Sequence, residues 1–345
     1  MAQFWARLDA GIRTLPPGAF AFVMATGIVS TAFLMVGWSV VSTVMLVLAE
    51  VSLAALAVAL VLRLVRHPGS ALSDARKPER AFGYFTIVAA INVVAVRLYP
   101  HDPVAAIALA IVSIPVWLLL NYGVQAALML GRRDRPVATQ VNGSWFLWVV
   151  ATQSLAAVGA EIGRGADNQW IAAISVALWG IGVVLYLMLA TLVTLRLLTT
   201  RNDAAKLGPA YWIYMGATAI TVLAGSYILV LPADLPIMAV MSPVVGGLTF
   251  ILWAFGVWWI PLLLIFGVWR HGIQRIPLTY ETDLWSIVFP LGMYSVASMH
   301  FGTQTHLPLM TTLGEYGAWV SGAAWLVVAA AMVASAAVRR PAAPR

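Results

Sequence analysis

The stretch 283-DLWSIVFPLGMYSVASMHFG-302 decides how we interpret this chain. At about 1.5 Å of rise per residue, it is long enough to cross a bilayer as one α-helix. The pair Phe289-Pro290 and then Gly292 interrupt its middle. The polar side chains of Ser295, Ser298 and His300 follow. Proline removes one backbone hydrogen bond and kinks a helix, and polar groups at this depth must face protein or water. The pattern therefore fits the wall of a path through the membrane, and equally a kinked helix packed in a bundle without a path.

Composition sets the class of protein. Of the 345 residues, 62% are hydrophobic and 10% are charged, and the mean hydropathy is +0.91. Long runs almost without charge recur from end to end, which is typical of an integral membrane protein with many spans. The N-terminal segment has no apolar core with a small-residue cleavage site, so we expect no cleaved signal peptide. The absence of cysteine excludes disulfides, thiolate metal ligands and cysteine nucleophiles.

The hydrophobic runs predict ten membrane-spanning helices in a single domain, residues 1–345. The basic residues lie almost entirely in alternate connections and at the two ends: Arg7, Arg13, Arg63, Arg66, Arg76, Lys77, Arg80, Arg132, Arg133, Arg135, Arg196, Arg201, Lys206, Arg270, Arg275, Arg339, Arg340 and Arg345. Only Arg97 and Arg164 fall near the opposite side. Because basic residues favour the cytoplasmic side, we expect both termini in the cytoplasm and a location in the plasma or inner membrane. Membrane topology explains the basic pI better than nucleic-acid binding does.

The ten spans form a repeat. Every second span begins after a similar interval, which predicts five helical hairpins of like orientation, over residues 17–63, 80–130, 144–196, 208–269 and 283–338. Inverted-repeat transporters need an odd number of spans in each half, so that plan does not fit. Five like-oriented hairpins can close into a quasi-five-fold ring with one helix of each pair facing a central pore. The predicted fold class is thus an all-α integral membrane protein with a ring of this kind.

The odd-numbered spans carry most of the polar residues and are expected to line the axis. The predicted lining residues are Thr26, Gly27, Ser30, Asn92, Arg97, Thr152, Gln153, Thr218, Thr221, Gly292, Ser295 and Ser298. Polar groups inside a membrane commonly face a cavity. Small residues also serve helix packing, and that alternative accounts for many of the glycines.

The charges along this predicted path indicate its cargo. The middle of each odd-numbered span lacks Asp and Glu, whereas cation channels present rings of carboxylates. Hydroxyls, amides and the nearby cation Arg97 favour a small anion. Arg97 is equally explained by snorkelling to the outer headgroups. Glu50 in the second span is interpreted as a hydrogen-bonded packing residue, and a role in proton coupling is the alternative.

Other chemistry finds little support in the sequence. The chain has no G-x-x-x-x-G-K-[ST] phosphate loop and no H-E-x-x-H zinc pattern, so we expect no cofactor and no metal. Ser298 and His300 are two residues apart and lie on different faces of a helix, which disfavours a serine hydrolase. An intramembrane enzyme or a non-transporting receptor remains the competing class.

Four segments carry a family resemblance: LPPGAFAFVMATGIVS from 15, FGYFTIVAAINVVAVRL from 82, NGSWFLWVVATQS from 142 and FPLGMYSVAS from 289. With these segments the chain resembles the tellurite-resistance/dicarboxylate transporter family, which includes the yeast malate and sulfite permeases and the slow anion channels of plant guard cells. The resemblance implies ten helices in five hairpins, a central pore lined by the odd helices and anion transport. It also implies a homotrimer with one pore in each subunit.

The resemblance further implies an aromatic gate. In the channel branch a phenylalanine of the ninth helix blocks the pore midway, and Phe289, directly before Pro290, stands at the matching position. An aromatic residue at a helix–helix contact is the simpler alternative. The cargo expected first is a four-carbon dicarboxylate such as malate or succinate. The alternative is an inorganic anion such as chloride, nitrate or sulfite, with tellurite resistance as a linked property.

Overall fold

A computed structural model of the protein describes residues 2–131, 139–166 and 168–338. In these ranges all regular secondary structure is helical. The predicted cytoplasmic charges Arg132, Arg133, Arg135, Arg339, Arg340 and Arg345 lie outside the described residues.

Thirteen α-helices follow one another in the described ranges. They are α1 (Ala2–Arg13), α2 (Ala21–Met35), α3 (Ser39–Arg66), α4 (Pro68–Ala75), α5 (Pro78–Ala81), α6 (Phe85–Leu98), α7 (Pro103–Leu130), α8 (Leu147–Ala166), α9 (Gln169–Thr199), α10 (Ile213–Ile228), α11 (Pro236–Val268), α12 (Trp285–Thr305) and α13 (Pro308–Val338). Ten of them pair as the five predicted hairpins, α2–α3, α6–α7, α8–α9, α10–α11 and α12–α13. The first helix of each hairpin is the shorter one.

The prediction of a helical protein with many membrane spans is confirmed. Nine helical segments of the described chain are long and apolar enough to cross a membrane. The tenth predicted span is α10, which extends the short turn Pro209–Trp212, and all of its residues are buried.

The hairpins form two concentric layers. The inner helices α2, α6, α8, α10 and α12 contact one another in that order, and α12 returns to α2, which closes a ring of five. Each outer helix packs against the inner helix of its own hairpin. In four inner segments 67–83% of the span is buried, against 17–44% in the outer ones. The outer helices expose large apolar side chains, as lipid requires, for example Val104, Leu119 and Val184.

Short 3₁₀ turns precede the five inner helices and form a second ring at one end of the molecule. They span Pro17–Phe20, Phe82–Tyr84, Gly143–Phe146, Pro209–Trp212 and Thr282–Leu284, and each contacts its two neighbours in the ring. Glycine permits two of these approaches. A Cβ atom at Gly83 would lie 3.0 Å from the backbone nitrogen of Gly18, and one at Gly143 would overlap the carbonyl of Ala210.

A buried ion-pair network ties the same end together. The Arg63 side chain, 1% exposed, donates to the Asp74 carboxylate at 2.7 Å, the Tyr84 hydroxyl at 3.1 Å and the carbonyl of Arg13 at 3.2 Å. Arg80 donates to the other oxygen of Asp74 at 2.6 Å. These contacts join α1, α3 and α4 to the start of an inner helix, so the network fixes the first hairpin to the second.

Candidate functional site: the axis of the helix ring

A vestibule of about 190 Å³ lies within the ring of 3₁₀ turns. All five repeats contribute to its wall: Pro16, Pro17, Gly18, Ala21, Glu79, Arg80, Gly83, Thr86, Ser144, Leu147, Ala210, Ile213, Asp283 and Ser286. Its charged groups are two carboxylates and one guanidinium, and that guanidinium is already paired with Asp74. The vestibule is therefore polar and open enough to hold hydrated ions.

A second, much smaller cavity lies further along the same axis. Its volume is about 20 Å³, room for about one water molecule. All five inner helices line it, through Ile28, Thr31, Asn92, Val93, Val96, Ser154, Ala157, Ile220, Leu223, Tyr227 and Met293. This inner cavity has an uncharged and mainly hydrocarbon wall.

The five inner helices share one spacing between the residues that line the two cavities. Residues that line the vestibule are followed seven positions later by residues that line the inner cavity: Ala21 and Ile28, Thr86 and Val93, Leu147 and Ser154, Ile213 and Ile220, Ser286 and Met293. Seven residues are about two helical turns, so each helix keeps one face towards the axis over this distance.

Phe289 belongs to the layer between the cavities. It lies three residues after Ser286 and four before Met293, on the face that lines both cavities, and it is 1% exposed. At the same level, three and four residues after the vestibule-lining positions, the other inner helices carry Met24, Ala25, Ala89, Ala90, Val150, Ala151, Gly216 and Ala217. The helix register therefore places Phe289 at the level between the vestibule and the inner cavity.

Pro290 packs against the neighbouring inner helix and leaves α12 helical. A Cβ atom at Gly216 of α10 would lie 2.7 Å from Cγ of Pro290. The helix continues from Trp285 to Thr305 through the proline. The missing side chain of Gly216 therefore provides the space for the proline ring beside Phe289.

Asn92 is the predicted lining residue that reaches the inner cavity. Its Nδ2 donates to the Ser154 hydroxyl at 3.0 Å, and its Oδ1 accepts from the Ser113 hydroxyl of α7 at 2.8 Å. The amide is thus held rigidly by α8 on one side and α7 on the other. One N–H of the amide is left for a group in the cavity.

Most other predicted lining residues turn to the outer helices, which differs from the expectation. Three hydroxyls accept hydrogen bonds from tryptophan indoles of outer helices, Thr26 from Trp325 at 3.0 Å, Thr152 from Trp117 at 3.1 Å and Ser298 from Trp253 at 2.8 Å. Gln153 donates to the carbonyl of Trp179 at 3.1 Å, Ser295 to that of Gly314 at 2.7 Å and Ser30 to that of Ser42 at 2.7 Å.

The remaining predicted residues contact their own helix, another inner helix or an outer helix. Thr218 lies against Gly256 of α11, and Thr221 bonds the carbonyl of Ala217 at 2.7 Å. A Cβ atom at Gly27 would lie 2.9 Å from Val93, and one at Gly292 would lie 2.9 Å from Ile28. The physical reason is that inner helices have protein on every side, so a buried hydroxyl finds its partner there rather than in water.

Arg97 is enclosed by protein and does not reach outward to headgroups. It is 3% exposed, and its Nη2 donates to the Ser42 hydroxyl of α3 at 2.9 Å. Nε and Nη1 are buried without a hydrogen-bond partner among the described residues. Glu50 of α3 acts on this guanidinium at longer range. This placement disfavours the snorkelling interpretation.

Sequence reasoning missed several lining residues, namely Thr31, Thr86, Tyr227 and Ser286. Tyr227 lies at the far end of the inner cavity, where its ring is 4.5 Å from that of His300. His300 in turn shares a hydrogen bond with Ser226 at 2.9 Å.

Comparison with known proteins identifies the family. The family model described as voltage-dependent anion channel (SLAC1) matches residues 14–333. An uncharacterized membrane protein of Mycobacterium tuberculosis is 47% identical over 143 residues, which are 41% of this chain and 72% of that protein.

Two more distant relatives carry transport names. An uncharacterized transporter of Methanocaldococcus jannaschii is 26% identical over 163 residues, 46% of each chain. A sulfite efflux pump of Trichophyton rubrum is 23% identical over 201 residues, 54% of this chain and 52% of that protein. With the family match extending over nearly all of the ring, this multi-span membrane protein belongs to the voltage-dependent anion channel (SLAC1) family.

Proposed function

We propose that the protein passes small anions across the membrane along the axis of its five inner helices. The single observation that carries the proposal is the pair of axial cavities, each lined by all five repeats. Family membership supports the choice of anions. The inner cavity supports it too, because its wall has no carboxylate and a cation path would be expected to present them there, although Glu79 and Asp283 line the vestibule.

Phe289 is the proposed gate, and Pro290 is its support. In the closed arrangement the ring fills the axis, and ions pass when it moves aside. Pro290, wedged against Gly216, holds the backbone beside the ring. Asn92 is the proposed contact for the ion beyond the gate, since its amide is fixed and has one N–H free.

Small inorganic anions are the proposed cargo, with sulfite, chloride and nitrate as the first to test. The inner cavity offers a single amide and a few hydroxyls. A four-carbon dicarboxylate such as malate or succinate would be expected to use paired cationic groups, which bind carboxylates in two-point geometry. The fungal relative named as a sulfite efflux pump supports an inorganic anion. Resistance to tellurite would be consistent with such cargo.

The proposed setting is the plasma or inner membrane with both termini in the cytoplasm. The basic residues beside the ring of 3₁₀ turns support this orientation. The vestibule would then open to the cytoplasm. A homotrimer with one path in each subunit is the proposed assembly, and the family resemblance is its support.

Counterflow into proteoliposomes tests the function. Purified full-length protein is reconstituted, and uptake of labelled sulfite, chloride and succinate is compared with that of protein-free liposomes. We expect uptake of the inorganic anions to exceed uptake of succinate. An intramembrane enzyme or a receptor would leave all three anions outside, and that result would refute the proposal.

A further inference from the structure

We infer that Arg97 sets the charge selectivity of the axis from within the wall, without touching the permeating ion. The inference rests on the proposed function. It gives Arg97 a role that differs both from direct binding and from membrane anchoring.

The Arg97 guanidinium is a buried positive charge that the Glu50 carboxylate opposes only at longer range. It forms no ion pair among the described residues. Its one hydrogen bond goes to a neutral hydroxyl, that of Ser42, which lies 3.2 Å from the Ser30 hydroxyl. Hydroxyls stabilise the group locally and leave its net charge in place. A buried charge in this state acts on its surroundings over a long distance, because little water screens it.

The charge lies one layer behind the inner cavity. Val93 and Val96 of α6 line that cavity, and Arg97 directly follows Val96. On the neighbouring helix, Thr31 lines the cavity and Ser30 belongs to the Arg97 cluster. From helix dimensions, the guanidinium is on the order of 10 Å from the cavity. Arg97 itself is absent from the residues that line either axial cavity.

At this distance the charge is strong enough to select ions. With an effective dielectric constant of about 20, a unit charge about 10 Å away changes the occupancy of a monovalent ion more than about tenfold. The effect raises anion occupancy and lowers cation occupancy. The wall of the inner cavity has no charge of its own to compete with it.

The other charged residues in the outer half of the ring do not cancel the positive charge of Arg97. Glu161 and Arg164 neutralise each other through a 2.9 Å ion pair. Glu50 opposes Arg97 but lies on the outer helix α3, where it is only partly buried. The geometry therefore predicts opposite effects of neutralising these two residues.

Reversal potentials test the inference. Full-length protein is incorporated into planar bilayers under a potassium chloride gradient, which measures the ratio of chloride to potassium permeability. Arg97→Gln should lower the ratio about a hundredfold, because chloride loses and potassium gains about tenfold each, and Arg97→Lys should keep it within about twofold because the charge remains. Glu50→Gln should raise the ratio. The matched control is the double variant Glu161→Gln/Arg164→Gln, which removes a neutral pair and should leave the ratio unchanged.

Each outcome decides between the explanations. A chloride current with the same reversal potential in wild type and Arg97→Gln overturns the inference and leaves the proposed function standing. Equal loss of selectivity in Arg97→Gln and Arg97→Lys also overturns it, because it would indicate direct contact. No current above that of empty bilayers from any version refutes the proposed function, and the inference with it. If Arg97→Gln does not fold, a fall or no change of the ratio in Glu50→Gln overturns the inference.

Discussion

Replacing Phe289 by alanine should open the axis. The ring is 1% exposed and lies between a vestibule of about 190 Å³ and a cavity of about 20 Å³. Moving a buried phenylalanine out of its packed position costs about 1.5–3 kcal/mol. If that cost keeps the path closed, its removal should raise anion flux about 10- to 100-fold, at about 1.4 kcal/mol for each factor of ten.

The same substitution should weaken the fold. Truncating a buried phenylalanine leaves a cavity and lowers the free energy of unfolding by about 3–5 kcal/mol. Flux and stability should therefore change in opposite directions. The assay is chloride uptake into proteoliposomes, normalised to the amount of protein that is reconstituted and elutes as a single folded species.

Phe146→Ala is the matched control. Phe146 is as buried as Phe289, but its ring faces Tyr186 of the outer helix α9 and Tyr214 of α10, at 5.5 and 4.6 Å between centroids. We expect a similar loss of stability without a rise in flux. Flux from Phe289→Ala that is unchanged or lower than wild type, in folded protein, would refute the gate. An equal rise in both variants would show that loosening the fold is sufficient.

Three further predictions concern stability and the role of hydroxyls. Gly216→Ala should lower the free energy of unfolding by about 1–3 kcal/mol, because the new Cβ would lie 2.7 Å from Cγ of Pro290; wild-type stability in denaturant titration would show that the proline ring has room to move. Asp74→Asn should lower the free energy of unfolding by about 3–5 kcal/mol, because it leaves a buried guanidinium unpaired. Asp9→Asn, which removes an exposed ion pair, should lower it by less than about 1 kcal/mol. Equal shifts of the melting temperature in the two variants would contradict this. Thr26→Val should lose about 1 kcal/mol of stability and keep wild-type flux, since its hydroxyl bonds an outer tryptophan; a large loss of flux would place that hydroxyl on the path.

The sequence was sufficient to predict the ring. Alternation of polar and plain spans identified the inner helices correctly, and like-oriented hairpins gave the order in which they contact one another. The interpretation of the polar residues in these inner helices as pore lining was partly wrong. Inner helices can carry hydroxyls and amides because protein surrounds them. The hydroxyls of Thr26, Thr152 and Ser298 accept hydrogen bonds from tryptophans of the outer helices. A count of polar residues in each span cannot distinguish a face towards water from a face towards a second helix layer.

Proline was a weaker signal than the opening stretch indicated. Pro290 lies in an inner helix, but Pro115, Pro243 and Pro261 lie inside outer helices. A helix tolerates proline in a membrane wherever neighbours satisfy the freed carbonyl, so the residue does not identify a lining helix. The 3₁₀ turns before the inner helices were also not predicted, because the glycine and proline residues there are shared by many kinds of turn.

The small volume of the inner cavity has a consequence for the leak of protons across the membrane. Protons hop through membranes along files of water molecules, and a cavity of about 20 Å³ holds about one. While the phenylalanine is in place, the axis formed by the described residues offers no such file. With the axis closed by Phe289 as proposed, the protein would therefore not leak protons across its membrane.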